Sequence, residues 1–231
     1  MITRMIHLRQ LGSDPWVLPI YTRANQTQQY RGRDPLPDTV TRLGLRITMR
    51  LNLLPSLIGR LNSDMELLLE QARGAMQPEH VFTPRHQDAI ALQVDDHLKY
   101  LVICNLHAFV SELDACMDHM KQFMETVHDY VGQPIDDLKR KEIINGWMAA
   151  DGIDPKWVVR LAGARNYVAH TGPLYLGIDI SNEPWDLLLL KDNVAIPTPK
   201  QCFRLTELDR IARGFTACKA ALQRHLMTLL S

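Results

Sequence analysis

The fold of this chain is decided by residues 83–132, which read TPRHQDAIALQVDDHLKYLVICNLHAFVSELDACMDHMKQFMETVHDYVG. Thr83 and Pro84 are the residue types of a helix N-cap and of the first helical position. No further Pro or Gly occurs before Gly132, and apolar residues recur at helical spacing throughout the stretch. The pattern predicts one unbroken helix of about 65 Å, at about 1.5 Å per residue, which we expect to be the spine of the fold.

Shorter elements are predicted on both sides of this helix. The first forty residues are rich in Pro, Gln and Arg and predict irregular structure. Helices are predicted over about 38–53, up to an interruption by Pro55, from the capping box at Ser63 to about 75, over 135–149 and over 155–169. The β-prone runs LYLGIDI and WDLLLLK, separated by SNEP, predict a hairpin, and a last amphipathic helix begins near Thr206.

The predicted fold class is therefore all-α: a helical bundle built on one long helix, with a small β-hairpin before the C-terminal helix. The charged residues are unevenly distributed along the chain. Residues 1–60 carry nine Arg, no Lys and three acids, although the whole chain has zero net charge. We predict a basic, partly irregular N-terminal extension over 1–60 and a helical domain over 61–231. A basic segment of this kind either docks on its own acidic domain, the interpretation that we favour, or binds nucleic acid.

Composition narrows the class of protein. Apolar residues make up 46% of the chain and charged residues 23%, which is typical of a soluble globular protein. No stretch holds eighteen uninterrupted apolar residues, so we expect no membrane span. The first residues lack the pattern of a secretory signal, and the four cysteines show no Cys-x-x-Cys spacing. We expect a cytoplasmic protein with reduced thiols.

Sequence motifs for metals, cofactors and common hydrolases are absent. Glu125 and His128 give one Glu-x-x-His, whereas a di-iron bundle needs two copies and two further Glu. There is no glycine-rich phosphate loop and no Gly-x-Ser-x-Gly. We expect neither a metal nor a cofactor.

Residues 164–173, ARNYVAHTGP, are the strongest candidate for a functional site. They end the predicted helix that Asp154 and Pro155 begin, and Gly172-Pro173 stops it. On an ideal helix the stripe turned to the core consists of Trp157, Leu161, Ala164 and Val168. The opposite face carries small and polar residues instead: Val159, Ala162, Gly163, Asn166 and His170. Such a face has no Lys or Glu, which indicates a contact with another surface, such as a second subunit.

Arg165 and His170 have the chemistry for cleaving a phosphodiester. A histidine titrates near neutral pH and can take a proton from a ribose 2′-hydroxyl, and an arginine fork matches a phosphate. The plain structural alternative is that both residues cap the exposed carbonyls of a helix end. Arg165 lies about 140° from His170 around an ideal helix, so the two converge only if the last turn loosens or across a dimer axis.

The string Arg165-Asn166-x-x-x-His170 at a helix end in an all-α chain resembles the HEPN superfamily. Its ribonuclease members carry an Arg, four to six residues and a His, often with a polar residue directly after the Arg. The long preceding helix, the hairpin and the last packing helix are also similar, so that the resemblance covers about residues 83–231.

The resemblance implies a metal-independent endoribonuclease with a composite site at a homodimer interface, acting on RNA as a toxin or as a phage-defence or stress effector. Its catalytic residues would be Arg165, Asn166 and His170. Arg165 would stabilise the phosphorane, His170 would be the general acid or base, and Asn166 would position one of these two side chains. Val159, Ala162, Gly163 and Tyr167 would form the packing face beside the site. An antitoxin or regulatory protein is a further implied partner.

Two alternatives stay open at this point. Some HEPN branches lack nuclease activity, and the chain would then be a scaffold or regulatory module that binds a protein or a nucleotide. In the other, the arginine-rich first sixty residues bind RNA through its phosphates, with strong salt dependence.

Overall fold

A computed structural model describes residues 5, 14–32, 34–76, 81–86, 89–170 and 175–231, with the backbone alone at residues 30–31, 81–86, 89 and 170. The fold is mainly helical with a small three-stranded antiparallel sheet. In chain order the described elements are α1 (Val17–Arg31), α2 (Asp38–Gly74), β1 (Val81–His86), β2 (Ala89–Leu92), α3 (Asp96–Tyr130), α4 (Asp137–Ala150), α5 (Lys156–His170), β3 (Tyr175–Asp179), β4 (Asp186–Leu190), β5 (Cys202–Arg204) and α6 (Glu207–Leu229).

The two longest helices, α2 and α3, lie antiparallel and pack along their lengths. Polar contacts mark the register from one end of the pair to its middle. The amide of Asp95 donates to the Gln71 side chain, and further along Asn105 donates to Asp64. At the middle of α3, Arg50 pairs with Glu112. Between these contacts both helices bury an apolar stripe, in which leucines predominate on α2.

Helix α2 runs through Pro55 without a break, so the prediction of two helices over 38–53 and 63–75 is wrong. A proline removes one hydrogen bond from the carbonyl four residues earlier. Pro55 is solvent-exposed, while Leu51, Leu54 and Leu61 are buried on the other side of the helix. The continuous apolar stripe holds both halves against α3, and water can reach the exposed face where the bond is missing.

Helix α3 begins at Asp96, so the prediction that it starts at Thr83 is wrong. Asp95 is the N-cap, and its carboxylate accepts a hydrogen bond of 2.9 Å from the amide of Leu98. Two antiparallel strands, β1 (Val81–His86) and β2 (Ala89–Leu92), occupy this part of the chain instead. Short apolar runs of this kind suit a strand as well as a helix, and the Asp95 cap fixes which residues are helical.

Helix α1 occupies a segment predicted to be irregular. Its own sequence is polar, but Trp16, Ile20 and Ala24 recur at helical spacing and are buried. The Trp16 indole donates to the Lys219 carbonyl (2.7 Å), and Thr27 donates to the Leu230 carbonyl (2.5 Å). Contacts with α6 therefore stabilise a helix that local propensity does not predict.

The predicted hairpin before the last helix is confirmed. Strands β3 and β4 pair antiparallel from Tyr175 opposite Leu190 to Asp179 opposite Asp186. A third strand, β5, pairs with β4 on its other edge and gives the order β3-β4-β5. Leu187 and Leu189 are buried on the side that faces the helices.

One apolar core joins residues from every helix and from the three-stranded sheet. Residue 60, the boundary drawn between the basic extension and the helical domain, lies inside α2. Within the described part of the chain, α3 is the helix long and apolar enough to cross a membrane. Its apolar stripe, from Leu98 to Val127, is buried in this core.

Gly214 of α6 is required by the close approach of α5. A Cβ built on Gly214 would lie 2.2 Å from Cγ of Trp157, a side chain that is only 3% exposed. Because a packed indole has little room to move, we expect Gly214→Ala to destabilise the protein by about 1–3 kcal/mol. Chemical denaturation followed by tryptophan fluorescence measures this change.

Gly59→Ala is the matched control, since nothing lies within 4 Å of a Cβ built at that position of α2. It replaces a helical glycine without a clash, and we expect stability to rise by about 0.5–1 kcal/mol. Equal effects of the two substitutions would contradict the close packing of Trp157 on Gly214.

A pair of histidines joins the end of α3 to α6. His128 is 4% exposed, its Nδ1 lies 3.1 Å from the Gln133 carbonyl, and its Nε2 lies 3.1 Å from Nε2 of His225. One arrangement satisfies every atom: His128 donates from Nδ1 to the carbonyl, and neutral His225 donates to the bare Nε2 of His128. Burial, together with the neighbouring His128, lowers the pKa of His225 to about 4, and burial also lowers the pKa of His128.

We expect the melting temperature to fall as the pH is lowered from 6.5 towards 4. In that range the unfolded chain takes up a proton at His225 that the folded chain does not, so stability increases with pH. His225→Gln keeps a donor for His128 and should flatten this part of the profile. His97→Gln, at an exposed position of α3, should leave it unchanged. If the melting temperature of His225→Gln falls with pH as steeply as that of the wild type between pH 6.5 and 4, His225 is not the group responsible.

Candidate functional site

Helix α5 has the orientation that its apolar spacing predicts. Trp157, Leu161, Ala164 and Val168 are all buried in the core. The start of the helix is held by Asp154, whose carboxylate accepts a hydrogen bond of 3.0 Å from the amide of Lys156. Since the core stripe fixes the rotation of the helix, the opposite face must point outward.

That outward face is open. Val159 is 73% exposed, and Ala162, Gly163 and Asn166 are exposed as well. A Cβ added at Gly163 would meet no atom within 4 Å. No described residue of this chain covers the face, so a molecule that packs on it has to come from outside the described structure.

Tyr167 belongs to a different surface from the one predicted. Its hydroxyl donates to the carbonyls of Leu189 and Gln201, each at 3.0 Å, and its ring packs against Phe203. A tyrosine with its hydroxyl bonded in this way is fixed against the sheet. Tyr167 therefore attaches α5 to the sheet within one chain and does not lie on the open face with Val159.

Arg165 points toward α3. Its Nη1 lies 3.2 Å from Oδ2 of Asp114, and its Nη2 donates to Oδ1 of Asn166 at 3.3 Å. The Arg165 side chain is 49% exposed, and one carboxylate, that of Asp114, pairs with its charge. Asn166 thus connects the arginine to the open face, and the rest of the fork stays accessible to an anion.

His170 is the last residue of α5, and its side chain lies outside the described residues, as do residues 171–174. The five-residue separation places it about 7.5 Å beyond Arg165 along the helix axis. The Gly172-Pro173 stop also falls in the part of the chain that is not described.

One residue of the site, Asp114 of α3, was not predicted from the sequence. Asp114, the partner of Arg165, is 51 residues away in the chain. Their contact depends on how α5 packs on α3, so no spacing along the chain could indicate it. On the same stripe of α3, two turns before Asp114, the buried Nε2 of His107 has no hydrogen-bond partner among the described residues. Burial lowers the pKa of His107, which favours the neutral ring.

The residues considered for a metal site have other partners. Glu125 pairs with Arg140, and His128 bonds to Gln133 and His225. Among the described residues no three His, Cys, Asp or Glu side chains lie close enough together to hold a metal ion. Burial raises the pKa of Cys116 to about 12 and that of Cys218 to about 11, so these thiols remain protonated and unreactive at neutral pH.

Four described arginines of the first sixty residues lie on α2, and they differ in their contacts. Arg50 docks on the acidic side of α3 through Glu112, and its Nε donates to His119 at 3.2 Å. Three others, Arg42, Arg46 and Arg60, are exposed along one side of α2 and make no ion pair with any described residue.

Comparison of the chain with protein-family models, with curated proteins and with solved structures found no match. The residues of α5 and their surroundings are therefore the basis on which a function can be proposed.

Proposed function

We propose that this chain is a HEPN-like, metal-independent endoribonuclease of the cytoplasm. The observation that carries the proposal is the position of Arg165. Its half-exposed guanidinium lies between Asp114 and Asn166 on a helix whose neighbouring face is open and lined by small residues. The guanidinium of Arg165 is permanently charged, and in this position it can bind the phosphate of an RNA and stabilise the negative charge of the phosphorane transition state.

In the proposed reaction the ribose 2′-oxygen attacks phosphorus, and the bond from phosphorus to the 5′-oxygen breaks. One His170 takes the proton from the 2′-hydroxyl, and the His170 of a second subunit gives a proton to the leaving 5′-oxygen. Arg165 stabilises the charge on the phosphorane, and Asn166 positions the arginine through its side-chain oxygen. The products are a 2′,3′-cyclic phosphate and a 5′-hydroxyl, and no metal takes part.

The proposal includes a homodimer in which two α5 helices meet through their open faces. Ala162 and Gly163 allow close approach of two backbones, and Val159 supplies apolar area at the centre. In such a dimer the two copies of Arg165 and His170 line one cleft. The same proposal includes the finer fold assignment, a HEPN-type bundle built on α3. It also includes a role as a toxin or phage-defence effector that an antitoxin or regulatory protein inhibits.

We expect Arg165→Ala and His170→Ala each to reduce RNA cleavage by about 100-fold or more, because each removes a group that acts in the transition state. The assay incubates a 5′-labelled oligoribonucleotide with the protein in EDTA and identifies the cyclic phosphate end. Arg160→Ala is the control: this arginine lies on the same helix and pairs with Glu207 at 2.9 Å. Cleavage that needs a divalent metal, or full activity in His170→Ala, would overturn the mechanism.

The open face provides a separate test. Ala162→Glu combined with Gly163→Glu should leave the subunit folded, since both positions are exposed, and should convert the dimer to an inactive monomer. Sedimentation velocity measures the assembly and circular dichroism the fold. Ala149→Glu, at an exposed position of α4, should keep both the dimer and the activity. A wild-type protein that sediments as a monomer at micromolar concentration while cleaving RNA would contradict the composite site.

A non-catalytic scaffold is the second candidate, and the ion pair of Arg165 with Asp114 favours it. In that case the arginine serves to hold α5 on α3. RNA would then remain intact in the EDTA assay with wild type and variants alike, and the open face would bind a protein partner.

A further inference from the structure

A cavity of about 520 Å³ lies between the three-stranded sheet, strand β2 and the ends of α2 and α3 that carry Ala72 and Lys99. Its floor is formed by Leu188 and Leu190 of β4, and its wall by Val194, Ile196 and Pro197 from the segment that leads to β5. The volume is in the range of protein sites that enclose a bound molecule, about 300–1,000 Å³. None of the residues proposed for RNA cleavage lines it.

Strand β3 presents its edge to this cavity. Six consecutive residues, 176–181, line the space. Successive side chains of a strand point to opposite faces, so an unbroken run of lining residues means that the cavity reaches around the strand edge. β3 is the first strand in the order β3-β4-β5. In an antiparallel pair every second residue turns its N–H and C=O away from the partner, and no described backbone group bonds to β3 on that side.

The opposite wall contains a second strand edge. Ile90, Ala91 and Leu92 of β2 are also consecutive lining residues, and β2 pairs with β1 alone among the described strands. An extended chain that enters the cavity thus meets backbone donors and acceptors on one side and has a second strand beside it. Unpaired edges of this kind are templates for the addition of a strand.

The charged groups around the cavity already have partners. Arg204 pairs with Asp179 at 2.6 Å and with Asp186 at 3.0 Å, and Lys99 pairs with Asp96 at 2.5 Å. The rim is apolar and exposed where it is not charged: Ile180 is 44% exposed and Ile196 56%. An anionic ligand would have to displace one of these carboxylates, whereas an uncharged apolar segment needs no such exchange.

We propose that this cavity, which we call the β3 groove, binds an extended apolar segment of a partner protein as a strand added to β3. Main-chain hydrogen bonds to the β3 edge supply the affinity, and the apolar floor selects the side chains that point toward it. A second copy of this chain is a poorer occupant, because it would present the same concave groove and leave the apolar floor unfilled. The proposal is independent of the ribonuclease activity.

The test uses the full chain and a phage-displayed library of random nonapeptides as the probe. We expect selection to enrich peptides with alternating apolar residues and no charge in the centre. A synthetic copy of such a peptide should slow hydrogen–deuterium exchange in β3. Ile180→Asp combined with Ile196→Asp should weaken its binding at least tenfold, because both side chains form the rim and are exposed. Leu138→Asp, on α4 and 68% exposed, is the matched control and should bind as wild type does.

Three outcomes would overturn the proposal. They are a selection that enriches no peptide, binding that survives the double substitution, and binding that leaves exchange in β3 unchanged. If the double substitution instead converts a dimer to a monomer without affecting peptide binding, the groove is a subunit interface and the proposal is wrong. Should the double variant lose its circular dichroism signal, Ala195→Trp, which fills the cavity from the wall, replaces it in the same assay.

Discussion

The antiparallel packing of α2 on α3 is the constraint on which the other elements depend. Together these helices supply about half of the buried apolar residues, and their polar contacts, from Gln71 with Asp95 to Arg50 with Glu112, set a single register. A shift by one helical turn would break these contacts and move the apolar stripes of the two helices out of register. The remaining helices then have fixed surfaces on which to pack: α1 lies on α6 and α2, α4 lies on α6, and α5 lies on α3 and α6.

The position of Arg165 follows from that arrangement. Asp114 is placed by α3, and Trp157 is placed by its close approach to Gly214 of α6. These two anchors leave one face of α5 without a partner in the described chain. In the dimer that we propose, this face of α5 meets the second subunit.

Sequence reasoning succeeded where one periodic pattern determines the outcome. The stripe from Trp157 to Val168 and the hairpin of β3 and β4 are local patterns, and both were predicted. It failed where two signals competed. Thr83-Pro84 resembles a helix start as closely as Asp95 does, and only the pairing of β1 with β2 decides between them. Pro55 looked like a break because its exposure on α2 was unknown. Asp114 could not be assigned to the site, because its proximity to Arg165 depends on tertiary packing.

Tyr167 has a consequence for how the two surfaces of this protein relate to each other. Its hydroxyl bonds to the carbonyl of Leu189, within β4, and to that of Gln201, directly before β5, and its Cα belongs to the same helical turn as Arg165 and Asn166. This contact joins the helix of one proposed site to the sheet that borders the other. If binding at either site moves Tyr167, thermodynamic linkage requires that each ligand change the binding free energy of the other by the same amount.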